Sequence, residues 1–417
     1  MRKLGLGVVL PGLLIFSLSC DSPTESRSNP YEQQPIDWPS LADSPWPMYR
    51  HDPQFTGRSN FIGPQNGKIN WNISIPGIQT RIAFTSFAIG ADLTIYFGHS
   101  VDGETLKWRF YAIKPDGTIK WNFSENEGDC YITTGPLVTK EERIIFGASS
   151  YRANGYIYML DKSGHMVWRY ATESKIYIAG INIDKEGNLY FSDKDGSIYS
   201  LDSNGNLRWK IQNDDIFKAH NCNGMPISPD GQTIYVTNVN PNGSTLYAFS
   251  KEGNIKWSFS CGDSAAIICT TPIVDCQNNI YFTIGYSKNK SSINGIYSLN
   301  PEGILRWKML SETFSLSEMT IDTHGNIYTY IDRIYSLKNN GEIRFVIETD
   351  GLITAPLISS NNNIYAISNI LYCFSNNGVI FFQVDLPCEI FADGAIDNQG
   401  NLFLGAPCEE NSLIKVN

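Results

Sequence analysis

The side chains in this chain with the most chemical potential are nine cysteines and five histidines. Their spacing decides what chemistry they could support. His51, His99, His165, His220 and His324 are scattered, with no His-Glu-x-x-His pair to hold zinc and no Cys-x-x-Cys-His site for haem. Neither a Gly-x-Ser-x-Gly elbow nor a phosphate-binding Gly-Lys-Ser/Thr loop occurs. Asp-rich segments such as Asp193-Lys194-Asp195-Gly196 could suggest calcium, but tight turns select Asp, Asn and Gly for backbone reasons, and that reading is favoured. No catalytic residue, metal site or cofactor is assigned. Cys388 and Cys408 lie nearly symmetrically about the turn from Asp397 to Gly400 and are expected to form a disulfide across that hairpin, two separate thiols being the alternative.

Cys20 has a different context. It follows a basic start (Arg2, Lys3) and an apolar run from Leu4 to Leu18, broken by Pro11 and Gly12. The run is too short for a comfortable membrane span and reads as an export signal over 1–20. Export would permit disulfides among the eight remaining cysteines, although their irregular spacing suits mostly buried thiols. The polar, Pro-containing stretch 21–44 reads as a flexible tether. The formal net charge of −10 disfavours nucleic acid as a partner, because such a chain repels a phosphate backbone.

The elements that must position any site come from a repeat. A segment of Gly, any residue, an aliphatic, any residue and then Trp or Phe recurs eight times, ending at Trp71, Trp121, Trp168, Trp209, Trp257, Trp307, Phe345 and Phe382. Successive aromatics lie some 37 to 50 residues apart, the period of a supersecondary unit. Seven copies follow a second strand signal such as Ile198-Tyr199-Ser200-Leu201, joined by a tight turn of Asp, Asn or Lys with Gly closely following. Upstream lies a third, such as Gly325-Asn326-Ile327-Tyr328. A fourth carries proline in four repeats (Pro136, Pro226, Pro272, Pro356). Proline donates nothing to a ladder, so these residues belong either on an edge facing a central channel or at a strand's first residue.

Each unit is therefore four short strands with both faces covered, as in sheets stacked around an axis. The first Gly-to-Trp copy (Gly67 to Trp71) lacks its preceding strand, and the C-terminal strand Ser412 to Val416 lacks its following one. The two halves complete one blade. The expectation is an all-β, eight-bladed propeller over 45–417, closed by pairing of its N- and C-terminal strands.

Three further features are resemblances. The strand-turn-strand unit Leu201 to Trp209, like Ile113 to Trp121 and Leu160 to Trp168, resembles the tryptophan-docking motif of pyrroloquinoline-quinone-like (PQQ-like) propellers. That implies each aromatic packs on its neighbour's backbone, with weaker junctions at Phe345 and Phe382. Trp46 to Arg58 resembles the lead-in before the first blade in bacterial members of this family, implying a cap on the ring. Phe16 to Asp21 resembles a lipoprotein lipobox, which implies lipidation of Cys20, although Ser17 stands where Leu is preferred.

The family includes quinoprotein dehydrogenases, the outer-membrane assembly lipoprotein of the Bam complex and many other exported proteins, so fold alone does not choose a function. The dehydrogenases carry an adjacent Cys-Cys pair, and no two cysteines are adjacent here. The expected role is a lipid-anchored platform in a bacterial cell envelope that binds other envelope proteins, the alternative being a PQQ- or sugar-dependent periplasmic enzyme using the channel. The binding surface is expected on the ring face bearing the long connections, among them 99–106, 149–155, 238–244, 286–294 and 406–412.

Overall fold

The computed structural model describes residues 29–75, 85–101, 107–125, 130–150, 154–176, 180–212, 224–240, 243–260, 266–268, 270–286, 294–311, 317–349, 354–390, 392–406 and 412–417. Within them the chain forms eight antiparallel sheets and no helix. Blade three shows the common plan. Asn182–Ile183, Leu189–Ser192, Ile198–Leu201 and Leu207–Ile211 pair in that order from hub to rim. Ile198–Leu201 is buried throughout, as a strand must be when its sheet is covered on both faces. In blade four the innermost strand shrinks to a bridge between Ile227 and Ile234.

The turns repeat for a chemical reason. Asp184 Oδ1 accepts the backbone N–H groups of Glu186 and Asn188 at 3.0 and 2.8 Å, and Oδ2 accepts Asn188 Nδ2 and the Tyr190 hydroxyl at 2.8 and 2.7 Å. Asp275 with Tyr281 and Asp322 with Tyr328 repeat the arrangement. One carboxylate thus folds the turn and fixes the next strand's tyrosine. Asp193, from the segment that could suggest calcium, is used in the same way, accepting from the N–H groups of Asp195 and Ser197 and from the Tyr199 hydroxyl.

The ring closes through the chain termini. Ile69–Ser74 pairs antiparallel with Ser412–Val416, Trp71 lying opposite Lys415 and Ile73 opposite Leu413. Lys68 and Asn417 exchange both backbone hydrogen bonds at 2.9 Å. Leu413, Ile414 and Val416 are fully buried, so the latch carries core as well as ladder.

Because strands alternate in direction, the tight turns joining the first strand to the second and the third to the fourth all fall on one face of the ring. The connections between the second and third strands, and those between blades, fall on the other. The long connections expected to carry recognition all leave from that second face, although most of their residues lie outside those described.

Candidate functional site

The hub is where the sequence-derived picture changes most. Trp46 to Ser59 does not merely cap the ring: it enters the channel and bonds to the inner strands one after another. Ile89, Val138, Ile227, Val274, Ile321 and Ile358 donate their backbone N–H groups to the carbonyls of Trp46, Pro47, Pro53, Gln54, Thr56 and Gly57. Asn182 adds a side-chain bond to Pro53 O at 2.8 Å. Seven of the eight blades are thus tied to a single segment. Trp46, Met48, Arg50 and Phe55 are at most 1% exposed, which is core packing.

The four prolines sit just ahead of the inner strands Leu137–Val138, the Ile227 bridge, Ile273–Val274 and Leu357–Ile358. Lacking an N–H, they leave no unpaired donor where the plug turns away. The plug makes its sharp turn with Arg50 and His51 in the left-handed region at φ 56° and 77°. Such backbone persists for non-glycine residues only where surrounding contacts fix it. Gly57 is required beside Arg50, since a β-carbon there would come within 2.7 Å of the guanidinium carbon.

Residues 29–44, read from composition as tether, also differ from expectation. They lie across the tight-turn face instead. Gln33 N donates to Thr323 O at 2.7 Å, Cys276 N donates to Gln33 Oε1 at 2.9 Å, and Ala42 N donates to Val138 O at 3.0 Å. Trp38 and Leu41 are buried, with the Lys185 ammonium 5.2 Å above the Trp38 ring. Two aromatic or apolar anchors in a polar segment are enough to dock it.

On the opposite side of the plug lies a cluster of charge. The Tyr49 hydroxyl donates to Glu318 Oε2 at 2.5 Å. Arg50 has no solvent exposure and donates to the carbonyls of Pro356, at 3.1 Å, and Met319. Its Nε lies 3.8 Å from Glu318 and its Nη1 4.0 Å from Asp393, whose side chains keep 20% and 11% exposure. Burial pushes the Asp393 carboxyl up to about 7, Arg50 opposing the rise and Glu318 adding to it. The Tyr49 phenol is held well above its ordinary value, chiefly by burial and then by the Glu318 charge.

Glu318 and Asp393 each stand two residues before an inner strand, Thr320–Ile321 and Ala395–Ile396, on the long-loop side. A carboxylate and a proton-holding carboxyl there can accept from, or donate to, a polar group approaching along the channel from that face. Sequence reasoning missed both acids, because a single Glu and a single Asp at matching repeat positions carry no motif. Aligning the repeats on their inner strands would have set them beside the small residues Gly135 and Ala355.

The repeated aromatics form a second, peripheral ring. The indole N–H groups of Trp121, Trp168, Trp209, Trp257 and Trp307 donate to the carbonyls of Lys162, Ser203, Lys251, Pro301 and Asn339 in the next blade, at 2.6–3.3 Å. Trp71 lies against Gly117, Phe345 against Gly378, and Phe382 against Gly67, which completes the circuit. Cys388 is disulfide-bonded. Cys408, its expected partner, lies outside the described residues, as do Cys20 and His220. Cys276 and Cys373 are free thiols. Among the described residues, no three His, Cys, Asp or Glu side chains are grouped to hold a metal ion.

Blade number, four-stranded plan and terminal latch define an eight-bladed β-propeller. No family model matches the sequence, and no curated protein matches it. Among solved structures the chain is similar to BamB from Moraxella catarrhalis, at 15% identity and a TM-score of 0.61, over 84% of this chain and 99% of that one. It is also similar to Sqt1 from Chaetomium thermophilum (9% identity, TM-score 0.62, 82% of this chain and 98% of that one). The Dos1 propeller matches at 11% identity and a TM-score of 0.62, over 88% of this chain and 96% of its own length. Identities this low establish the fold alone.

Proposed function

We propose that this chain is a lipid-anchored scaffold of a bacterial cell envelope, held at Cys20 and offering its long-loop face to other proteins. The observation that carries this reading is the plugged hub. The protein's own segment, bonded to six blades through backbone and to a seventh through Asn182, takes the space through which a substrate would cross the ring, and it locks those blades into one rigid platform. Loops mounted on such a scaffold are the usual place for recognition. The resemblance to a family that includes the assembly lipoprotein of the Bam complex, together with the structural likeness to BamB, supports an assembly role.

Photo-crosslinking in intact cells tests it. A crosslinkable residue at Asp195, Asp332 or Asn369, each exposed on a short turn of the long-loop face, is expected to trap the same protein adducts. The same probe at Glu302, on the opposite face, is expected to trap none of them. A result with no specific adduct from any long-loop position would remove the proposal. Cys20→Ser is expected to move the chain from the membrane to the soluble fraction.

A further inference from the structure

The path of the N-terminal strap sets which way the ring faces. We infer that the tight-turn face is the membrane-proximal side and that the long-loop face points away from the bilayer; this rests on the anchoring reading above. The strap is fixed to the tight-turn face up to its first described residue. Asn29 Nδ2 donates to His324 O at 2.8 Å, in the first turn of blade six, and Tyr31 packs over Gly325 of that turn.

Cys20 is nine residues before Asn29. Nine residues reach at most about 30 Å when fully extended. To place the long-loop face on the bilayer, that stretch would have to leave an inner turn and run outward across the remaining strands, about 10–15 Å at the usual strand spacing. It would then have to pass the ring's thickness, about 13–17 Å for blade six, whose strands Ile327–Tyr330, Ile334–Leu337 and Ile343–Ile347 have four or five residues. The two legs together consume most or all of that reach and leave little to span the gap to the lipid. With the tight-turn face toward the lipid, the same residues need cover only the gap.

Electrostatics makes this an orientation and not a docked contact. The tight turns between third and fourth strands present Asp116, Asp161, Asp202, Glu252, Glu302 and Glu342 against Lys114, Lys162, Lys251 and Lys338, the last paired with Glu342 at 2.7 Å, and Asp92, Glu141, Glu142 and Glu186 on the neighbouring turns add to the acidic excess. Such a face is repelled by anionic headgroups within about a Debye length, roughly 8–10 Å at physiological salt. The ring therefore stands off on its tether, its acid-rich side down and its long connections free.

The test is fluorescence quenching by headgroup-labelled nitroxide lipid in vesicles of phosphatidylethanolamine and phosphatidylglycerol. A fluorescent non-natural residue is placed at Glu302 on the tight-turn face or at Asp195 on the long-loop face. Two preparations are compared: the full-length membrane-extracted chain, and a chain starting at residue 21 with an N-terminal polyhistidine tag on nickel-chelating lipid. Several-fold stronger quenching at Glu302 than at Asp195 is expected in both. Equal or reversed quenching on the nickel-chelating vesicles overturns the orientation whatever Cys20 carries. If only the extracted chain fails to float with vesicles, while the tagged chain keeps the asymmetry, the anchoring reading falls and the orientation stands.

Discussion

At the scale of single residues, the hub shows how a buried acid is tuned by what lies against it. Asp393 faces Arg50 and Glu318, with Tyr49 bonded to Glu318, and its pKa rises to about 7 because burial outweighs the pull of the guanidinium. An unfolded aspartate titrates near ~3.9, so the folded state keeps a proton that the unfolded state has lost across the window from about pH 4 to 7. The folded state binds the extra proton, so stability falls as pH rises through that window, by up to about 1.4 kcal/mol per pH unit. Asp393→Asn fixes the neutral form and removes this dependence. Urea midpoints of the variant and the parent should differ more at pH 8 than at pH 5, in the variant's favour. A difference that is the same at both pH values would mean that Arg50 holds the carboxyl ionised after all. None of this could be read from the sequence, because Asp393 and Glu318 acquire their setting only when separate repeats converge on one axis.

At the scale of elements, legibility follows locality. The turn between strands is coded within seven residues, as in Asp322 to Tyr328, where one carboxylate meets its partners within the same short segment. Such units declare themselves in the sequence, and so do the eight aromatics that follow each turn glycine. The aliphatic inside each copy was equally visible but means less. From Ile69 to Ile380 these residues remain 37–51% exposed, so they record strand propensity and not core. The lead-in was recognisable as a block but not as a plug, since its bonds go to repeats 43 to 301 residues away and it has no period of its own. The docking ring yields a paired prediction. Trp257→Phe keeps an aromatic ring at the junction but loses the 2.8 Å bond to Pro301 O, and should lower stability by about 1 kcal/mol. Phe345→Trp supplies a donor at a junction that has none, where the matching acceptor is the carbonyl of Asn376, and should raise stability by a similar amount. Shifts of the same sign in urea unfolding would show that the indole N–H is not what distinguishes the junctions.

At the scale of the whole molecule, two devices hold the ring, and they act at different radii. The plug ties inner strands together at the hub, while the latch joins the last strand to the first outer one and leaves no open sheet edge. If the plug alone sufficed, the latch could be weakened at little cost. The structure argues otherwise, because Leu413, Ile414 and Val416 are fully buried beside Leu402 and Leu404, and Ile69–Ser74 finds its only strand partner among the described residues in Ser412–Val416. Ile414→Ala should therefore cost about 2–5 kcal/mol, the usual range for an emptied aliphatic core site. Removing 412–417 should do more, exposing the edges of both Leu402–Ala406 and Ile69–Ser74 and withdrawing support from Trp71 at its junction with Gly117. Limited proteolysis is expected to cut the truncated chain first within 60–75, before any blade interior is reached, and its unfolding transition should broaden as the ring opens at that seam. A truncated chain with the parent's protease resistance and a single sharp transition would show that the hub, and not closure, carries the cooperativity of the fold.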